Sequence, residues 1–196
     1  MRIRTGDAAP KFEVRDSNGD LQTPTGNGSR HTLLCFFRHA GCPYCNLRVS
    51  QLINAAPDLA RHNIRVVTVF QSGRENIERD VGQQQPPFPI IPDPDHKLYK
   101  LYGVTPSWLK FLRAFFLRPL RAPYAIFIKG FSPKYAEGDP HMAPAEFLIA
   151  PDGAVRLAYY GKDISDHVAL ADVYAAVDQS NHATPNPVPG AIQAAE

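Results

Sequence analysis

The chain has 196 residues, 44% of them hydrophobic, enough to bury one substantial core and most economically read as a single domain. A net charge of +2 is too mild for a nucleic-acid-binding protein, and three cysteines are too few for the disulfide framework of a small secreted fold. The N-terminus MRIRTGDAAPKFEV lacks the apolar stretch of a secretory signal, and no apolar run approaches the ~18 residues that span a bilayer. A soluble, cytoplasmic protein is expected.

Phe12-Glu13-Val14 followed by Asn18-Gly19 predicts a short strand entering a hairpin. Thr32 to Arg38 is nearly all apolar, as in a strand covered on both faces. From Pro43 to about His62 the spacing predicts a helix with Leu47, Leu52, Ile53 and Leu59 on its apolar face, broken or kinked at Pro57. Ile64 to Phe70 predicts a second buried strand, and Gly73 to Asp80 a short solvated helix. Phe88 to Ile91 reads as a brief extended piece, after which Asp95 is expected to cap a helix carrying Leu98, Leu101 and Tyr102. Ala145 to Ala150, the turn Pro151-Asp152-Gly153 and Ala154 to Tyr160 predict a hairpin, followed by a last helix from Asp166 to Gln179. Residues 180–196, rich in Ala, Pro, Asn and Gln, are expected to be a disordered tail, leaving 1–179 as the domain. An order of βαβα, an interruption, then ββα implies an α/β, thioredoxin-like fold: a central mixed sheet flanked by helices.

The interruption, at about 105–143, is too long for a simple connection and should have structure of its own. It mixes large apolar residues with cations. Between His96 and Ala136 there is no Asp or Glu, while Lys97, Lys100, Lys110, Arg113, Arg118, Arg121, Lys129 and Lys134 are all basic. A lid over the functional site or a dimer surface is the favoured use, with attachment to anionic membranes the least favoured.

The residues that carry chemistry are Cys42-Pro43-Tyr44-Cys45, placed where the first buried strand turns into the long helix. A helix N-terminus favours thiolate over thiol, and the two-residue spacing lets one sulfur close a ring with the other. Half of a zinc site is the alternative. Zinc would need two further ligands, whereas Cys35 sits mid-strand as a core residue and the histidines are scattered. Arg38 and His39 flank the motif and could stabilise a thiolate, as could Arg48 one turn beyond Cys45. No glycine fingerprint for a dinucleotide and no P-loop is present, so no metal and no bound organic cofactor are expected, and electrons should arrive through another thiol. Two orders of reaction stay open: Cys42 as nucleophile resolved by Cys45, or Cys45 attacking a peroxide and Cys42 condensing with the resulting sulfenic acid.

The stretches GDAAPKFEVRDSNG, LLCFFRHAGCPYCNLRVSQL, IRVVTVF and FPIIPDPDHKLYKLYGV resemble the peroxiredoxins of the alkyl hydroperoxide reductase type. The resemblance is strongest to the peroxiredoxin-like branch with a two-cysteine motif, and covers roughly residues 5–104 and 145–179. It lays Phe36-Phe37 on the family's aromatic pair and Cys45 on its peroxidatic position, while Arg38 replaces a proline and Cys42 a threonine. The arginine that those enzymes place before the strand at Glu146–Ile149 is missing; Pro144 stands there and resembles the cis-proline that thioredoxins and glutaredoxins set opposite their CxxC. The resemblance implies a thiol-based antioxidant oxidoreductase that reduces hydroperoxides through a Cys42/Cys45 dithiol–disulfide cycle. It also implies a thioredoxin- or glutathione-type reductant, a homodimer and, at Pro144, a substrate groove; Arg38 and His39, from their place beside the motif, are candidate substrate contacts. CPYC is the glutaredoxin tetrapeptide, so disulfide exchange stays open, as does a non-catalytic, redox-sensitive binding module.

Overall fold

The structure, a computed structural model, describes residues 2–26, 28–117, 123–131 and 137–182. A short hairpin comes first, β1 (Val14–Arg15) and β2 (Leu21–Gln22), two residues later than the sequence suggests. Its turn is closed by Asp16, whose carboxylate accepts the amides of Asn18 and Asp20, and by Gly19 at φ +96°.

Five strands form the central sheet: β3 (His31–Phe36), β4 (Ile64–Phe70), β5 (Ile90–Pro92), β6 (Ala145–Ile149) and β7 (Val155–Tyr160). Their order is β5-β4-β3-β6-β7. β3, β4 and β5 run parallel, as right-handed crossovers through helices require, and β6 and β7 add antiparallel. Because side chains alternate across a strand, β3 feeds two cores. Leu33 and Cys35 pack with Val49, Leu52 and Val173 on one face, and Leu34 and Phe36 pack with Tyr99, Tyr102 and Phe147 on the other.

The first face is covered by α1 (Pro43–Arg61) and α5 (Leu170–His182). α1 runs without interruption through Pro57, contrary to the expected break. One lost amide donor is offset by the buried Leu52 and Leu59 on either side of it. α5 starts four residues later than expected, because the Asp166 carboxylate accepts from the Tyr159 hydroxyl and the Lys162 amide and so belongs to the preceding loop. It also continues past Gln179 to His182; the rest of the expected tail lies outside the described residues.

α2 (Arg74–Arg79) and a 3-10 turn (Val81–Gln84) link β4 to β5. The cap of α3 (Lys97–Leu101) is Asp93 rather than Asp95. His96 takes the left-handed conformation at φ +57°, which folds the chain back so that the buried Asp93 carboxylate meets the amides of Lys97, Leu98 and Tyr99 at 2.9, 2.7 and 3.3 Å. Asp95 instead pairs with Lys97 on the surface. Asp93→Ala is expected to lower stability by about 1–2 kcal/mol, read from the midpoint of urea unfolding. The effect should reach the site, since the Tyr99 hydroxyl lies 2.5 Å from the Phe37 carbonyl at the end of β3.

Within the insert, α4 (Trp108–Leu117) and a wide helical turn (Tyr124–Ile128) are formed, the latter closed by the Lys129 amide on the Tyr124 carbonyl. Among the described residues, no helix is long and apolar enough to cross a membrane.

Candidate active site at the start of helix α1

The chain leaves β3 at Phe36, makes a turn in which the Cys42 amide donates to the His39 carbonyl, and enters α1 with Cys42 as the N-cap residue and Pro43 in the first turn. A proline there costs nothing, because the first amides of a helix have no partner. No side chain caps this end. Asn46 holds the turn instead, its amide donating to the carbonyls of Ala40 (2.6 Å) and Cys42 (3.0 Å) while its oxygen accepts from Gln84 (2.7 Å). Ser72 accepts the Ala40 amide at 2.9 Å, so the loop leaving β4 also pins the turn.

Cys42 and Cys45 are both thiols, both buried, and hydrogen-bonded to one another. Their environments differ. The Arg38 guanidinium, itself only 6% exposed, donates to the Cys42 sulfur at 2.9 Å. Burial alone would push the Cys42 thiol up, but the hydrogen bond from Cys45 together with Arg38 and the nearby His39 outweighs it, and the thiol is held well below its ordinary value. Cys45 is pushed well up by burial and by sharing its proton with Cys42, although the Arg38 amide also points at its sulfur, at 3.4 Å. Of the two, Cys42 is the sulfur that ionises more readily. Cys35 is a buried strand residue whose thiol is pushed up by burial and by Glu146 opposite it on β6.

Arg38 lies on the Cys42 sulfur, and His39 is near enough to lower the same thiol. Burial lowers the His39 pKa, which keeps the imidazole neutral more readily than a solvated one. Pro144 opens β6 beside the end of β3, but its peptide bond is trans, so the expected cis-proline is not formed. Its carbonyl is used structurally, accepting the Gly161 amide at 2.8 Å. Arg48 does not serve the thiols either. Its guanidinium forks onto Glu146 at 3.1 and 3.3 Å and reaches the Val168 carbonyl at 2.9 Å, and His167 and the Val168 amide complete the ring around the same carboxylate.

The insert closes over the motif. Arg38 donates its other terminal nitrogen to the Pro140 carbonyl at 2.7 Å, and Gln71 clasps Asp139 through both its amide and its carbonyl. Gly138 takes φ +70° here, and a side chain at that position would collide with Gln71. Ala125 in the wide turn is fully buried, leaving beside the motif a cavity of about 310 Å³ lined by Gly41, Asn46, Asp80, Gln84, Gly130 and Phe131. A larger cavity, about 590 Å³, lies elsewhere, between Ala8–Glu13 and the β6–β7 turn, and no residue of the motif lines it. The described residues hold no cluster of three or more metal-ligating side chains.

Sequence reasoning missed Asn46, Gln71 and Glu146. For Glu146 a signal existed, because a carboxylate inside an otherwise apolar strand must find a cation. Asn46 and Gln71 act through backbone carbonyls and amides brought together only by the fold.

Fold and site define a thioredoxin-fold protein with a two-cysteine centre on a peroxiredoxin scaffold. A sequence profile of the AhpC/TSA family matches residues 5–158, and the chain belongs to that family. Peroxiredoxin Bcp of Escherichia coli K12 is 24% identical over 102 residues, which are 52% of this chain and 65% of that protein, so the match spans just under two thirds of the relative's length. Among solved structures, peroxidoxin BcpB of Mycobacterium tuberculosis superimposes with a TM-score of 0.66 at 16% identity, over 91% of this chain and 98% of that one. A yeast mitochondrial 1-Cys peroxiredoxin does so with a TM-score of 0.66 at 16% identity, over 91% and 76%.

Proposed function

We propose that the protein is a thiol-based antioxidant oxidoreductase that reduces hydroperoxides through a Cys42/Cys45 dithiol–disulfide cycle. The observation that carries this reading is the buried Arg38 guanidinium 2.9 Å from the Cys42 sulfur with the Cys45 thiol hydrogen-bonded beside it. Cys42 thiolate attacks the O–O bond, takes one oxygen as sulfenic acid, and releases the other as an alcohol or water once it gains a proton. The Cys45 thiol then condenses with the sulfenic acid, expelling water and forming the disulfide. Two external thiols restore the dithiol and leave as their own disulfide. The family resemblance would give the first step to Cys45. The electrostatics favour Cys42, because its thiol is shifted down while that of Cys45 is shifted up.

A thioredoxin- or glutathione-type thiol is the reductant this cycle needs; the yeast relative is described as resolved through glutathione/thioredoxin systems. A cytoplasmic setting, rich in such thiols, fits three free cysteines. Protein disulfide exchange would use the same sulfurs, but a protein disulfide must reach Cys42 past the clasp at Asp139–Pro140, whereas a small peroxide needs far less room.

Single variants test the assignment. Cys45→Ser should accumulate sulfenic acid on Cys42, trapped by dimedone, after one equivalent of hydroperoxide, and should turn over about tenfold or more slowly with a dithiol reductant. Cys42→Ser should react no faster than an ordinary thiol. Sulfenic acid in Cys42→Ser alone would reverse the roles, and unactivated rates in the parent chain would remove the peroxidase reading.

A further inference from the structure

The insert presents opposite chemistry on its two sides. Inward, it buries Ala125 and lends the Pro140 carbonyl to Arg38. Outward, Leu109, Phe127 and Ile128 stand 78, 81 and 70% exposed. Of the eight exposed large apolar side chains among the described residues, six belong to this insert. Apolar tips gathered in one segment of an otherwise well-buried fold mark a contact surface. The charge says what meets it. Within the insert, six Lys and Arg from Lys110 to Lys134 precede its first carboxylate, Glu137. On α4, Arg113 follows Leu109 by one turn, and Lys129 follows Ile128 directly; both cations are exposed. A second copy of the chain would press these cations against themselves, and an apolar partner would desolvate them unpaired. Protruding apolar side chains beside the exposed cations Arg113 and Lys129 match a layer where phosphate groups overlie hydrocarbon.

We propose that the insert is a docking surface for an anionic lipid membrane. Leu109, Phe127 and Ile128 enter the boundary between headgroups and acyl chains, and Arg113 and Lys129 meet the lipid phosphates. This raises the use that the sequence ranked last, because the inward and outward faces of one insert serve the lid and the membrane together.

Co-sedimentation of the reduced, full-length chain with vesicles tests it. Binding is expected to phosphatidylcholine vesicles containing about 30% phosphatidylglycerol and not to phosphatidylcholine alone, and should weaken sharply at about 0.5 M salt. Leu109→Glu combined with Phe127→Glu should cut partitioning by about tenfold or more, with an unchanged unfolding midpoint since both side chains stand in water. Arg113→Glu with Lys129→Glu provides a second, independent loss. Cys42→Ser should bind like the parent, which separates this result from any failure of the peroxidase reading. Absence of binding to anionic vesicles, equal binding to neutral ones, or indifference to both double variants would overturn the proposal. Capture by soluble polyglutamate as strong as by vesicles would also overturn it, in favour of an acidic protein partner.

Discussion

Arg38→Ala is expected to slow the reaction of Cys42 with hydroperoxide at neutral pH by about one to three powers of ten, the range by which a close opposite charge moves a titrating group. The Cys45 hydrogen bond, Arg38 and the nearby His39 hold the Cys42 thiol down, and of the two basic side chains Arg38 alone donates to the sulfur. Burial remains when the guanidinium is removed, so the term that pushes the thiol up is left less opposed. The pH profile of iodoacetamide alkylation distinguishes this from mere loosening. In Arg38→Ala the profile should move to higher pH while the rate at its alkaline plateau stays within a few-fold of the parent. A uniform drop at every pH would mean that Arg38 only shapes the loop. Arg38→Lys should recover little, because one guanidinium spans the Cys42 sulfur and the Pro140 carbonyl and an ammonium cannot present the same fork.

Glu146→Ala is expected to cost about 3–5 kcal/mol, the penalty for stranding a buried charge, since Arg48 would lose its counter-ion inside the fold. Burial pushes the Glu146 carboxyl up, but Arg48, His167 and the Val168 amide more than reverse this and bring it down to about 2. A folded-state value below the unfolded one of 4.5 stabilises the protein fully above that pH. The contribution, of order 3 kcal/mol, then fades as the pH falls from 4.5 through about 2. Urea unfolding at neutral pH and near pH 3 should therefore show a steep acid loss in the parent and a shallow one in Glu146→Ala. Joint replacement, Arg48→Met with Glu146→Leu, should regain most of the stability at neutral pH, because paired apolar groups do not carry the desolvation cost.

β4 was legible residue for residue, because Ile64 to Phe70 is dominated by β-branched and aromatic residues, with only Arg65 and Thr68 polar, and ends at polar neighbours. The start of α1 and the cysteine pair were equally plain, since strand, turn and Pro43 succeed each other without ambiguity. The errors fall where a side chain reaches back over the chain. Asp93 and Asp95 are equivalent in a sequence pattern, and only the left-handed His96 decides between them. Asp166 looked like a helix start and is a loop acceptor. Arg48 could be read as a thiol partner until Glu146, 98 residues away, claimed it. Pro144 took its expected form from resemblance alone, and the strand it opens needs only an ordinary trans bond.

The closed cover has a consequence for the fate of the oxidised cysteine under the proposed cycle. Cys42 has no exposed surface, and the Arg38 on its sulfur is tied to the insert at Pro140, so under the proposed cycle an oxidant is expected to reach it as that cover opens. Once the first oxygen has been taken, reclosure hides the sulfur from a second hydroperoxide and leaves Cys45 as its nearest reactant. Irreversible over-oxidation to the sulfinic acid should then be rare even at high peroxide flux, and its frequency would report how long the cover stays open.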